Sequence, residues 1–80
     1  MKIVSIPIIP EFGHYNISKN SIILGVVEYF GQPRMIVNII DELEGVRSLI
    51  TLLDGQECDG TYIASYVSGG ALHHLIETTG

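Results

Sequence analysis

Residues 21–41 read SIILGVVEYFGQPRMIVNIID, a stretch dominated by apolar residues. Two apolar runs, Ser21–Phe30 and Arg34–Asp41, flank the turn residues Gly31-Gln32-Pro33. Both runs are rich in β-branched and aromatic residues, and a Gly and a Pro interrupt them, which predicts a β-hairpin. The rest of the chain must then pair with this hairpin or cover it.

Neither predicted strand alternates cleanly between apolar and polar residues, as a strand with one wet face should. Strict alternation places Ile22, Leu24, Val26 and Glu28 on one face of the first strand, and Ile23, Gly25, Val27 and Tyr29 on the other. Either both faces are covered in a small barrel or sandwich, or one face is an oligomer interface.

Further short strands are predicted on both sides of the hairpin. Lys2–Ile9 is one, at a sheet edge because Pro7 cannot donate to a ladder, and His14–Ser18 is another. A composition typical of turns occupies residues 10–13. Val46–Leu53 reads as a strand, with a helix as the alternative because Leu43, Val46, Ile50 and Leu53 recur at helical spacing. Thr61–Ser68 and Ala71–Glu77 flank the tight turn Ser68-Gly69-Gly70, and the tail after them is expected to fray.

This spacing of strands and turns predicts a single domain over residues 1–80. The fold class is all-β, a small antiparallel meander, barrel or sandwich of six to seven short strands. The chain is 46% hydrophobic and only 16% charged. So much apolar material in a short chain favours a homo-oligomer over a monomer.

The charge excludes several classes of partner. Four Lys and Arg against nine Asp and Glu give a net charge of −5, which disfavours general nucleic-acid binding and attraction to anionic membranes.

Cys58 is the only cysteine, so no intrachain disulfide and no cysteine zinc cage can form. No secretory signal and no membrane-spanning apolar run is recognisable, which predicts a protein of the cytoplasm, either bacterial or in a host cell.

Catalytic patterns are missing from the sequence. His73 and His74 are adjacent, so a strand points them to opposite faces, one packed against a neighbour and the other at the surface or an interface. Cys58 lies between two acids, which oppose thiolate formation, and neither a G-x-S-x-G elbow nor a phosphate loop occurs. We therefore predict no enzyme, no metal and no cofactor; a small hydrolase using His73 or His74 is the weakest hypothesis.

Ligand binding is the remaining chemistry. Arg34 and Arg47, the only arginines, offer planar donors for phosphate or carboxylate. Tyr62 and Tyr66 fall on one predicted strand face and suit stacking on a base, and His74 completes the predicted binding residues. The alternative is that both arginines pair with acids and both tyrosines belong to the core.

The chain resembles a family of small, mostly phage-encoded proteins that carry a domain of unknown function. The resemblance rests on Pro7, Ile23–Val27, Gly31, Pro33, Arg47, Tyr62-Ile63, Gly69 and His74-Leu75-Ile76-Glu77. A tryptophan usual after the central turn is absent, and Leu53-Asp54-Gly55 stands where Thr-Gly-His is usual. The resemblance implies a phage origin and a small β-rich fold.

Together these features predict a phage-made binding protein that counters a bacterial defence system in the host cytoplasm. It would act as a homo-oligomer, sequestering a small anionic nucleotide that serves as an immune signal or binding a host defence protein directly. The alternative is a structural or adaptor component of the virion without a ligand.

Overall fold

A computed structural model describes residues 1–9 and 13–78, and within them the fold is all-β, as predicted. Seven strands follow one another: β1 (Lys2–Pro7), β2 (His14–Tyr15), β3 (Ile22–Tyr29), β4 (Gln32–Ile39), β5 (Arg47–Leu53), β6 (Thr61–Ser68) and β7 (Ala71–Thr78). The helix considered for residues 46–53 does not form. The predicted turn over residues 10–13 and the frayed tail lie largely outside the described residues.

The strands form two antiparallel sheets. The first has the order β1-β4-β3 and the second the order β2-β5-β7-β6. Their inner faces pack against each other, since one core cluster draws on both: Ile8, Tyr15, Ile17, Met35, Val37, Leu49, Tyr66 and Leu75. The fold is thus the sandwich among the arrangements that the sequence left open, with one outer face on each sheet.

The turn of the central hairpin differs from the predicted Gly31-Gln32-Pro33. Tyr29 pairs with Gln32, so the two-residue loop is Phe30-Gly31, with φ of 50° and 76°. Two positive φ angles match the twist of the flanking strands, which is why such short loops are favoured. Glycine adopts positive φ freely, but in Phe30 this backbone conformation is strained because of its Cβ. The Phe30 side chain is 90% exposed, so burial contributes little to offset the strain.

Pro33 lies inside β4 without breaking the sheet. Its carbonyl accepts from the Ile8 amide at 2.9 Å. The N and C=O of one strand residue point to the same side, so the missing N–H of Pro33 faces Ile8 rather than β3. The Gln32 side chain supplies the absent donor, because its Nε2 donates to the Ile8 carbonyl at 3.1 Å.

Two β-bulges move side chains to faces that strict alternation does not predict. In β3 the register shifts between Ile23 and Gly25, so Ile23 and Val26 both pack on the core. In β6 it shifts between Tyr62 and Ala64. The prediction that Tyr62 and Tyr66 share a face was therefore wrong: an extra residue in the strand inverts everything beyond it.

A buried arginine fastens the two sheets together. Arg47 is 9% exposed and binds Glu77 of β7 through one edge of its guanidinium, with Nε–Oε2 2.8 Å and Nη2–Oε1 2.6 Å. Its Nη1 donates to the carbonyl of Ser21, just before β3, at 2.6 Å. The bonds from Arg47 hold the pKa of the Glu77 carboxyl below its ordinary value and raise the pKa of Arg47.

A second polar link fixes the loop before β3 to the end of β4. Asp41 accepts from Ser18 Oγ at 2.6 Å and from Asn20 Nδ2 at 2.8 Å. These hydrogen bonds, and one from the Leu43 amide, lower the pKa of Asp41. The loop is therefore attached on both sides, by Asp41 just after β4 and by Arg47 of the second sheet.

Glu77→Gln should destabilise the fold by about 2 kcal/mol at pH 7, because it leaves a buried guanidinium without its counter-charge. The folded pKa of Glu77 is lowered, so its contribution is fully present above the unfolded value of about 4.3 and is lost as pH falls through the folded value. Urea denaturation of both proteins from pH 7 to pH 3 measures this difference. Glu42→Gln, at an exposed loop position, is the control, and a difference that does not shrink between pH 7 and pH 3 would contradict the ion pair.

Phe30→Asn should raise the free energy of unfolding by about 0.5–1 kcal/mol, because asparagine tolerates positive φ better than phenylalanine. Phe30→Ala is the matched control, since it keeps the strained backbone and removes the ring that contacts Tyr29 at 4.5 Å. Thermal and urea unfolding of the three proteins measure the effect. Equal stability of both variants would show that the turn is not strained.

Candidate functional site

Four polar side chains on the outer face of the second sheet form a continuous hydrogen-bonded chain. Tyr62 Oη lies 2.7 Å from Ser65 Oγ, which lies 2.7 Å from His74 Nδ1. His74 Nε2 lies 2.8 Å from Oδ1 of Asp54. We call this the Asp54–Tyr62 relay; it joins β6 and β7 to the loop that follows β5.

The sheet register explains how the relay assembles. Ser65 and Leu52 both pair with His74, one from each side, so these side chains share a face. In an ordinary strand Tyr62 would lie on the face opposite to Ser65, three residues away. The bulge between Tyr62 and Ala64 returns Tyr62 to the face of Ser65, and its ring centroid lies 6.4 Å from that of His74.

An open cleft of about 930 Å³ lies over the relay. Leu52 and Ile76 give it an apolar floor, and residues 56–59 line its rim. Gly60 lets this loop lie close to the sheet, since a Cβ there would come within 2.6 Å of Ile76 Cγ2 and of the Glu77 carbonyl. The full lining is Leu52, Gln56, Glu57, Cys58, Asp59, Tyr62, Ser65, His74 and Ile76.

The charge of the cleft is negative. Glu57 and Asp59 line it, Asp54 is bonded to His74 beneath it, and neither lysine nor arginine is among its lining residues. Phosphate or carboxylate groups are repelled by such a site, whereas cations and N–H donors are attracted. The exposed thiol of Cys58 lies at the same rim.

Which groups donate and which accept along the relay depends on which nitrogens of the His74 imidazole carry a hydrogen. With Asp54 as acceptor, His74 Nε2 carries a hydrogen, and neutral Nδ1 then accepts from the Ser65 hydroxyl. Ser65 in turn accepts from Tyr62. A protonated His74 reverses both bonds, so that Tyr62 becomes the acceptor at the end of the chain.

An acid, an imidazole and a hydroxyl in series also make up the serine-hydrolase triad. Here the hydroxyl meets Nδ1 and the carboxylate meets Nε2, the opposite of the usual order. The Ser65 hydroxyl is held by both Tyr62 and His74, and Asp54 is 68% exposed, so water screens its charge. The relay therefore lacks the atom order and the buried carboxylate of a serine-hydrolase triad.

The structure separates the five binding residues predicted from the sequence. Tyr62 and His74 meet in the relay. Arg47 is occupied by Glu77 and Ser21, which is the ion-paired alternative. Tyr66 is 8% exposed and stacks on His73 with ring centroids 5.1 Å apart, so it belongs to the core. Arg34 lies on the outer face of the first sheet.

Sequence reasoning missed Ser65 and Asp54, the other two members of the relay. Asp54 follows β5 immediately, and Leu52 pairs with His74, so a correct strand order would have brought Asp54 near His74. Ser65 carries no such signal, because its meeting with Tyr62 depends on the bulge. His73 stacks on the buried Tyr66, whereas the half-buried His74 bonds Ser65 and Asp54 on the outer face, which confirms that the two histidines face opposite sides.

Residues 1–9 and 13–78 contain no group of three or more His, Cys, Asp or Glu side chains placed to hold a metal ion. Nor does this part of the chain contain a helix long and apolar enough to cross a membrane. Comparison of the chain with protein-family models, with curated proteins and with solved structures gives no match. The resemblance to small phage proteins therefore stays a prediction, and the site is interpreted from its own geometry.

Proposed function

We propose that this protein is a small binding protein that recognises a basic, partly apolar segment of a protein partner. The observation that supports this is the Asp54–Tyr62 relay at the base of an acid-rimmed cleft. It presents hydrogen-bonding groups and negative charge over an apolar floor. A lysine or arginine suits such a site, because its aliphatic stem packs on apolar surface while its head group meets carboxylates.

The nucleotide alternative finds less support at this cleft. Tyr62 is available for stacking with 61% of its surface exposed, but Glu57 and Asp59 would face the phosphates. Of the two arginines expected to bind phosphate, Arg47 is already neutralised by Glu77, and Arg34 lies on the other sheet. A protein partner therefore fits the second sheet better than a nucleotide does.

The biological setting is part of the proposal. In a phage-made protein that counters host defence, the partner would be a host defence protein. In the structural alternative, the same cleft would hold another virion component. Mass spectrometry of purified particles separates these settings, because only a virion component is retained in them.

We also propose that the protein self-associates. The fold favours contact through the outer faces of the sheets rather than through their edge strands. The edge strand β1 contains Pro7, and the edges β3 and β6 each carry a bulge. Prolines and bulges discourage edge-to-edge pairing of sheets. Exposed apolar residues instead lie on the outer faces, among them Val27 and Val67, at 49% and 60% exposure.

Binding at the cleft can be tested with a fluorophore that is sensitive to its environment and attached to Cys58. We expect a Lys-Leu-Gly repeat peptide to change its emission, and an otherwise identical Glu-Leu-Gly peptide to leave it unchanged. The double variant Glu57→Gln/Asp59→Asn should weaken binding about tenfold at low salt, since each exposed ion pair contributes up to about 1 kcal/mol.

A matched control removes the same charge elsewhere. Glu42→Gln/Glu44→Gln should bind the basic peptide within about twofold of the unmodified sequence, because ion pairs act at short range. Equal weakening in both double variants would contradict a localised site. Acetylation of Ser65 by p-nitrophenyl acetate, seen as a mass increase that His74→Asn abolishes, would instead assign covalent chemistry to the relay.

A further inference from the structure

The outer face of the first sheet differs in charge from the cleft. The Cα register places eleven residues on this side, which we call the Arg34 face: Ile3, Ser5, Pro7, Ile22, Gly25, Val27, Tyr29, Gln32, Arg34, Ile36 and Asn38. The whole chain has nine Asp and Glu, yet none is in this set. Glu28, the acid closest in sequence, falls on the opposite side of β3 from Val27 and Tyr29.

Arg34 is held in place but keeps its charge. Its Nε donates to Ser5 Oγ at 2.9 Å, and its Nη2 donates to the Ser5 carbonyl at 3.2 Å. Within the described residues, the ion pairs are those of Arg47 with Glu77 and of His74 with Asp54. Arg34 takes part in neither, so its positive charge on a largely apolar face has no counter-charge there.

We propose that Arg34, Ser5 and Tyr29 form a binding site for a carboxylate or phosphate carried on an aromatic or apolar body. The guanidinium has five N–H donors in a planar fork that matches such oxyanions, and the bonds to Ser5 use only two of them. The Ser5 hydroxyl accepts from Arg34 Nε and still has its own hydrogen to donate to the same anion.

The surroundings of Arg34 define the rest of the ligand. A cleft of about 500 Å³ is lined by Ser5, Val27, Tyr29, Arg34 and Ile36. Tyr29 is 60% exposed and is flanked by the Phe30 ring, with centroids 4.5 Å apart. An aromatic ring stacked on Tyr29 and packed against Val27 would place an attached oxyanion at Arg34.

The first sheet holds Arg34 and Ser5 in this arrangement in the absence of a ligand. Arg34 lies on β4, the central strand, and pairs with Pro7 on one side and Val27 on the other. Ser5 pairs with Ile36, so the guanidinium leans along the face toward it. A donor that is already oriented loses little freedom on binding, which favours recognition of small ligands.

This site is independent of the proposed function, because it lies on the opposite outer face of the sandwich. Its chemistry suits two sources, a mononucleotide or the carboxylate of a peptide that ends in an aromatic residue. Of the two arginines predicted to contact a nucleotide, it uses Arg34, with Tyr29 in the stacking role predicted for Tyr62 and Tyr66.

The test is titration with small probes followed by amide chemical-shift changes in NMR spectra. We expect phenyl phosphate and benzoate to shift the amides of β4 and β1 around Arg34 and Ser5, with a dissociation constant near 1 mM, about what ligands of this size reach. Inorganic phosphate should bind at least tenfold more weakly and phenol should cause no shift. Adenosine monophosphate and an acetylated peptide ending in Phe then distinguish the two sources.

Variants assign each contact. Arg34→Gln should abolish binding of every anion, and Arg34→Lys should weaken it about tenfold, because lysine keeps the charge but not the fork. Tyr29→Leu should weaken phenyl phosphate and leave inorganic phosphate unchanged. Lys2→Gln, which removes an exposed charge elsewhere, is the matched control and should bind like the unmodified sequence.

Two results would overturn the proposal. Unchanged binding of phenyl phosphate by Arg34→Gln, with amide dispersion showing an intact fold, would place the anion elsewhere. An equal loss of anion binding in Lys2→Gln would show that the anions respond only to the net charge of the protein. Failure of the basic peptide to bind the acidic cleft bears only on the proposed function, since these probes report a separate surface.

Discussion

The structure depends on one buried guanidinium. Arg47 reaches from the first residue of β5 to Glu77 on β7 and to the Ser21 carbonyl ahead of β3. A charge that is 9% exposed is unfavourable unless it is paired. Arg47 is therefore stable in this position only while Glu77 and the Ser21 carbonyl bind it. These bonds fix the position of the second sheet against the start of β3.

With the inner faces joined in this way, the two outer faces of the sandwich remain accessible, and they carry opposite charge. The second sheet offers an acidic cleft over the Asp54–Tyr62 relay, and the Arg34 face offers one fixed cation among apolar side chains. A net charge of −5 conceals this division. A thin sandwich is suited to it, because its two surfaces are separated by a core that excludes water.

Much of the fold was predictable because it follows from local composition. β-branched runs separated by glycine predict the strands, and Gly69-Gly70, with φ of 60° and 77°, forms the predicted turn. The bulges at Leu24 and Ile63 were not predictable, since no local residue pattern marks where the register of paired strands shifts. The relay depended on one of those bulges, because Tyr62 joins Ser65 only through it. The burial of Arg47 was unpredictable for another reason: it required knowing that Glu77 lies beside it.

The order of strands also has a consequence for how fast the chain finds its structure. Each sheet contains one local hairpin, β3–β4 or β6–β7, whose strands are joined by two residues. β1 must then pair with β4 although residues 8–31 separate them, and β5 must pair with β7 although the whole of β6 lies between them. Such distant pairings delay folding, so we expect folding in milliseconds to seconds with both hairpins formed in the transition state. Substitutions in β1 that slowed folding as much as those in the hairpins would show that this order is wrong.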